Sequence, residues 1–225
     1  MLPDQASSNV CTPCRGFAFP AGAASAAEPA KPANSARSVN LYFSMSLAYI
    51  ALGANLPSPA GPPEATLAAA VDRLASLGAI TARSSLYSTA PVGVADQPRF
   101  LNAVIALETS CGPLELLGAV LTFEREFGRD RLTSLPDGPR TLDLDILFYG
   151  DLVLSEAALE IPHPRLAERA FVLVPLNEIA PQLRDPRRGQ TASQLLANLW
   201  PDRGPDDSAV VRFGSPLWTA GRAST

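Results

Sequence analysis

Asp143 and Asp145 stand two residues apart in the run Gly138-Pro139-Arg140-Thr141-Leu142-Asp143-Leu144-Asp145-Ile146-Leu147-Phe148. The run reads as a strand, and strand side chains alternate between faces. The two carboxylates therefore share one face, while Leu142, Leu144 and Ile146 share the other and turn to a core. Adjacent anions on a mostly apolar strand repel each other and resist leaving water. A hard divalent cation resolves both difficulties, and Mg²⁺ takes oxygen ligands of this kind. Arg140, just upstream, suggests phosphate as the cation's partner. The plain alternative is a solvated strand face, against which the apolar flanks speak. Glycosidase chemistry needs two acids facing each other across a sugar, and two acids on one strand face cannot do this.

Three further groups could join that chemistry. Arg125, Arg129, Arg131 and Arg140 bracket one polar stretch, and the planar guanidinium fork matches phosphate oxygens. Arg125 reads equally well as a residue that suits a helix C-terminus. In Pro162-His163-Pro164-Arg165 the prolines stiffen the backbone around an imidazole, with Arg169 close behind. Phe100-Leu101-Asn102, with Phe171 downstream, suits a flat heterocycle: rings for its face and an amide for its edge. Taken alone, Phe on a strand is more often core.

The elements that must hold these residues alternate along the chain. Leu47 to Leu52 reads as a buried strand, ended by Gly53-Ala54-Asn55. Pro62 and Pro63 open a helix whose stripe is Leu67, Val71, Leu74 and Leu77, ended by Gly78. Ala79 to Tyr87 reads as a second strand, Ser88 to Pro98 as a loop, and Phe100 to Thr109 as a third strand. Pro113 opens a second helix through Leu116, Val120, Phe123 and Phe127. Gly128 to Pro139 reads as a long mobile loop, Thr141 to Tyr149 as the acidic strand, and Asp151 to Leu154 as a hairpin return. Ile161 to Arg165 is a proline-bounded loop, Ala167 to Ile179 a helix interrupted by Pro175, and Gln190 to Leu199 a short amphipathic helix. The order strand-helix-strand-strand-helix-strand is ferredoxin-like, so the expected class is α+β: a mainly antiparallel sheet with helices packed on it.

Residues 1–44 are rich in Ala, Ser and Pro without period and read as a disordered extension. Patterned sequence begins at Met45, which raises the expectation that the natural start is Met45. The catalytic domain is expected over 45–203, with 204–225 a loose C-terminal tail. At 225 residues and a net charge of -4, general attraction to nucleic acid or anionic membrane is not expected. Lys31 is the only lysine, which excludes a phosphate loop built on Gly-Lys-Ser/Thr. His163 is the only histidine, which excludes zinc sites built on several. The three cysteines do not describe a disulfide scaffold, and no apolar run is long enough for a membrane span. A reduced, cytoplasmic compartment is expected.

Four blocks, in order, resemble the 6-hydroxymethyl-7,8-dihydropterin pyrophosphokinases of folate biosynthesis. They are Tyr49-Ile50-Ala51-Leu52-Gly53-Ala54-Asn55-Leu56, Gln97-Pro98-x-Phe100-Leu101-Asn102, Gly138-Pro139-Arg140-Thr141-Leu142-Asp143-Leu144-Asp145-Ile146 and Ile161-Pro162-His163-Pro164-Arg165. The resemblance runs from about Met45 to Trp200. It implies an ATP- and Mg²⁺-dependent enzyme that moves pyrophosphate from ATP to the pterin hydroxymethyl group and releases AMP. It implies two Mg²⁺ ions on Asp143 and Asp145. The pterin would lie between Phe100 and Phe171, read at its edge by Asn102 and by the backbone at Thr89 and Val92, with Gln97 in the same loop. The ATP site would comprise Glu124, Arg131, Ile146, His163 and Arg169, and Arg129, Arg131 and Arg140 would act in catalysis. The 132–137 segment, Leu-Thr-Ser-Leu-Pro-Asp, lacks the Lys and the Arg-Trp pair of well-studied members. ATP and the pterin are the expected partners, and the chain is expected to act as a monomer. Two rival readings are a nucleotidyl transferase, which would release pyrophosphate, and a ferredoxin-like binding module, which would need no Mg²⁺.

Overall fold

β1 (Ser46–Ala54) runs between β4 (Phe100–Thr109) and β5 (Asp143–Tyr149), antiparallel to both. The computed structural model describes residues 45–93, 96–130, 137–199 and 209–222. The expectations for residues 1–44 and for Arg131 lie outside the described residues. On its far edge β4 pairs with β2 (Gly78–Arg83) and then β3 (Leu86–Thr89), again antiparallel. The spatial order is β5-β1-β4-β2. With β2 and β3 taken as one interrupted strand, this is the ferredoxin-like arrangement expected from the element order.

Helices cover both faces. α1 (Pro63–Leu74) starts with proline at its first position, where the missing N–H costs nothing. Leu67, Ala70, Val71 and Leu74 form its buried stripe at helical spacing. α2 (Pro113–Glu126) also starts with proline, and Glu115 Oε2 accepts the Gly112 N–H at 2.8 Å, satisfying one orphan donor. Both helices pack against Ile50, Leu52, Ile105, Leu107, Leu144 and Ile146. Each fully buried leucine there contributes roughly 1.5–3 kcal/mol. On the opposite face α3 (Ala170–Ile179) and α4 (Ala192–Leu199) cover Tyr49, Val104, Ala106 and Leu147. Strand alternation puts Gly53, Asn102, Phe100, Asp145 and Asp143 on this second face as well, toward the end where α3 begins.

Three expectations are corrected. Gly78–Thr89 is not continuous: it breaks at Ser84-Ser85, and β2 has a register irregularity between Ile80 and Ala82. Ser84 is fully buried, with its hydroxyl donating to the Ser85 carbonyl at 2.8 Å and accepting the Val104 N–H at 3.0 Å. These local bonds replace ladder bonds at the break. The segment after Asp151 does not return along β5: β6 (Leu154–Ser155) pairs with β7 (Glu160–Ile161) in a separate two-stranded sheet.

The third correction concerns the C-terminus. Residues 209–222 are not loose: β8 (Val210–Phe213) pairs with β3, and β9 (Gly221–Arg222) pairs with β2. Trp218 is buried, donates from Nε1 to the Ser84 carbonyl at 2.7 Å, and lies under the Arg83 guanidinium at 4.9 Å. Glu178 of α3 fastens the same region by accepting from Ser85 N–H at 2.8 Å, Tyr87 Oη at 3.0 Å and Arg212 at 2.8 Å. Among the described residues no helix is long and apolar enough to cross a membrane.

Candidate active site

Strand register places Asn102, Gly53 and Asp143 side by side across β4, β1 and β5. The centre of this row is crowded at glycine: a Cβ at Gly53 would come within 2.9 Å of Asn102 Oδ1 and push that amide aside. The next row on the same face pairs Ala51 with Asp145. The alternation read from sequence therefore holds, with Leu142, Leu144 and Ile146 in the core under α1 and α2.

Arginines of the protein meet both carboxylates. Asp143 is ion-paired with Arg129 and accepts from Arg140 at 2.8 Å. Arg129 also donates to Glu124 at 2.6 Å and to the Leu142 carbonyl at 3.2 Å. Glu124 is 1% exposed and takes the Leu144 N–H at 2.9 Å, so it ties the acidic strand to α2. Burial opposes the charge of Arg129, but attraction to Asp143 and Glu124 outweighs it and holds its pKa above the ordinary value. Asp145 lies 3.5 Å from Arg169 and 4.0 Å from His163 Nε2.

His163 is held neutral. Burial, reinforced by Arg169, lowers its pKa from 6.5 to about 4. Its Nδ1 accepts the Arg165 N–H at 3.2 Å, so the ring proton resides on Nε2, toward Asp145. The imidazole sits on a clamped loop. The Ile161-Pro162 bond is cis, and the His163 N–H donates to the Leu147 carbonyl at 2.9 Å. Arg187 donates to the carbonyls of Leu154 at 2.8 Å and Ile161 at 3.1 Å. Fully buried Asp185 anchors this clamp by accepting from Arg188 at 2.9 Å and from the Arg187 N–H at 2.8 Å.

Beside the carboxylates is a pocket of ≈ 310 Å³. Thr89, Val92, Phe100 and Asn102 line it, together with Arg169, Phe171, Arg140 and Asp143. Asn102 Nδ2 donates to Thr89 Oγ1 at 2.7 Å, which fixes its amide. Arg140 lies 5.3 Å over the Phe100 ring, and Arg169 lies 5.6 Å over the Phe171 ring. Each ring is thus joined through a guanidinium to one carboxylate. Such cation–π contacts are each worth about 0.5–2 kcal/mol.

Not every residue expected at the site faces it. Glu124 and Ile146 are both buried behind the acidic strand: Glu124 bonds Arg129, and Ile146 belongs to the core under α1 and α2. Their side chains do not line the pocket, because alternation turns Ile146 away from Asp145 and α2 lies on the opposite face. Gln97 acts as a brace, accepting from Asn55 at 3.0 Å and donating to the Asp137 carbonyl at 2.9 Å. Arg125 bonds Thr122 on its own helix at 3.0 Å. Sequence reasoning missed Asn55, which is 4% exposed and donates to Gln97 at 3.0 Å and to the Pro98 carbonyl at 3.0 Å, while accepting the Arg140 N–H at 2.8 Å. Its signals were an amide directly after a strand and its place in the first of the four blocks. Ala209 and Val210 also line the pocket and were assigned to a tail.

The donor set at the acidic row suits magnesium. Asp143 and Asp145 supply hard oxygens on one face, and Mg²⁺ typically takes one or two carboxylates and leaves its other positions to phosphate and water. Among the described residues no cluster of three or more His, Cys, Asp or Glu forms a complete cage.

A sequence profile of the 7,8-dihydro-6-hydroxymethylpterin-pyrophosphokinase family matches residues 49–181. The 2-amino-4-hydroxy-6-hydroxymethyldihydropteridine pyrophosphokinase of Pseudomonas aeruginosa is 48% identical over 149 residues, covering 66% of this chain and 89% of that protein. The Bacillus subtilis protein of the same name is 40% identical over 167 residues, covering 73% and 96%. Among solved structures, a Plasmodium falciparum HPPK-DHPS chain with pteroate superposes with a TM-score of 0.58 at 15% identity. That match covers 75% of this chain but only 48% of the other, so this chain spans about half its length.

Proposed function

This chain belongs to the 7,8-dihydro-6-hydroxymethylpterin-pyrophosphokinase family, and we propose that it draws the transferred group from ATP with Mg²⁺ bound at Asp143 and Asp145. The reaction itself is pyrophosphoryl transfer to hydroxymethyldihydropterin in folate biosynthesis. One observation carries the finer reading: an aromatic pocket with a fixed amide reaches Asp143, Asp145 shares that strand face, and arginines pair with both carboxylates.

The pterin lies between Phe100 and Phe171, its edge read by Asn102 and by the backbone at Thr89 and Val92. Its hydroxymethyl oxygen attacks the β-phosphorus of ATP. The bond from that phosphorus to the α,β-bridging oxygen breaks, AMP leaves, and the hydroxyl proton is lost. Two Mg²⁺ ions, when bound, supply neutralisation of the triphosphate and acidification of the hydroxyl. Arg129, Arg131 and Arg140 stabilise charge that develops on the transferred and leaving groups. Arg140 and Arg169 line the pocket, where each can exchange a carboxylate oxygen for a phosphate oxygen. Neutral His163 offers an N–H donor to a phosphate oxygen without adding charge. Glu124 acts by holding Arg129, and Ile146 supports the acidic strand from the core.

In this reading the active unit is a monomer. Use of ATP fits a cytoplasmic location. The test is product analysis. Protein, ATP, Mg²⁺ and 6-hydroxymethyl-7,8-dihydropterin should yield AMP in step with pterin diphosphate. Release of pyrophosphate would replace this reading with nucleotidyl transfer, and absence of any nucleotide turnover would leave a binding module.

A further inference from the structure

Val210 stands directly opposite Thr89 in the β3–β8 ladder, and both residues line the pocket. The Ala90 N–H donates to the Ala209 carbonyl at 3.0 Å, and Arg99 bridges the Ser88 carbonyl at 3.0 Å and the Ala209 carbonyl at 3.4 Å. Thr89 is the residue whose hydroxyl fixes the Asn102 amide, and it is 3% exposed. The family profile ends at residue 181, well before this strand.

We infer that β8 is the outer wall of the heterocycle pocket, and that Val210 sets the width of the flat ring admitted there. The inference rests on the pterin reading of that pocket. β8 is added to the edge of β3 by main-chain pairing, so the wall stands wherever the strand docks. Docking is secured away from the pocket by Arg212 on Glu178 and by Trp218 on the Ser84 carbonyl. Side chains alternate along β8, so Val210 turns to the pocket while its neighbour Val211 is 49% exposed. Val210 narrows the slot by contact, and the pairing holds Thr89, and through it Asn102, in place. It is a specificity-determining residue with no part in bond making.

Steady-state kinetics of full-length variants test this. Val210→Trp should raise KM for the hydroxymethyldihydropterin about tenfold or more and leave KM for ATP within about twofold. Val211→Trp puts the same bulk on the outer side and should leave both constants near the parent values. Val210→Ala should keep the fold and relax discrimination against dihydropterins carrying an added methyl group on the ring. Unchanged pterin KM in Val210→Trp overturns the inference. Equal increases in Val210→Trp and Val211→Trp also overturn it, because strand undocking would then be the cause. Failure of the parent protein to bind or use the dihydropterin would instead refute the functional reading.

Discussion

Arg140 donates to Asp143 Oδ2 at 2.8 Å, three residues along the same chain segment. Its guanidinium also lies 5.3 Å over the ring of Phe100, and its N–H and carbonyl are both held by Asn55, at 2.8 Å and 3.0 Å. One side chain thus touches the candidate heterocycle pocket and the candidate metal row at once. Arg140→Ala should lower kcat/KM by about 10²-fold or more and weaken both substrates. Arg140→Lys should recover little, since a point charge cannot lie flat on the ring while it holds a carboxylate. Near-parent activity in the lysine variant would contradict this geometry.

Asp143 and Asp145 should differ in stability when replaced, although both should lose activity. Asp143 balances Arg129, which is only 10% exposed, as well as Arg140. Asp143→Ala removes one of the two carboxylates in contact with Arg129 and should cost about 1–3 kcal/mol in urea unfolding. Asp145 has looser partners at 3.5 Å and 4.0 Å, so Asp145→Ala should shift stability by less than about 1 kcal/mol. Turnover should fall by at least about 10²-fold in both. Equal stability losses would mean that the two carboxylates carry equivalent loads.

Gly53→Ala tests the crowded row. The added methyl would press on Asn102 Oδ1 at 2.9 Å and displace the amide. KM for the pterin should rise about tenfold or more, with ATP binding nearly unchanged when measured by calorimetry. Parallel weakening of both ligands would point to a wider distortion of the sheet.

His163 gives a pH dependence with a defined sign. Its pKa falls from 6.5 to about 4 on folding. In that window the unfolded chain binds the extra proton, so the stability contribution is complete above pH 6.5 and is lost as pH falls toward 4. The contribution is on the order of 1–3 kcal/mol for the metal-free protein. His163→Gln should therefore lose less stability between neutral pH and pH about 4.5 than the parent does. Identical slopes would show that His163 is not held neutral.

The strands that proved legible carry strong local signals. Phe100–Thr109 is found with the expected bounds because Ala103 to Leu107 is an unbroken apolar run and Gly112 and Pro113 follow closely. Alternation alone was enough to put Asp143 and Asp145 on one face. The break at Ser84-Ser85 was not legible, because it depends on Val104 and Trp218, which are distant in sequence. The docking of β8 was hidden for the same reason: its alternation is poor, and its order comes from the edge of β3. The clamp on the His163 loop rests on Asp185, an acid in a Pro-Arg-Arg-Gly turn that reads as an ordinary solvated loop. Ile146 shows the limit of carrying a role onto a position: the pattern locates the residue, and only the pleat tells which way it points.

Asn102 and Asp143 sit two strands apart on a single rung, with nothing but Gly53 between them. Neighbouring strands are spaced by about 4.8 Å, so this separation of roughly 10 Å is graduated by hydrogen-bond geometry. In the proposed reading the sheet would work as a gauge, with the recognised edge of one substrate at one mark and the phosphate end of the other at the second. A ligand that bridges the two marks with a rigid spacer of matching length gains from that fixed interval, and one cut shorter forfeits an end.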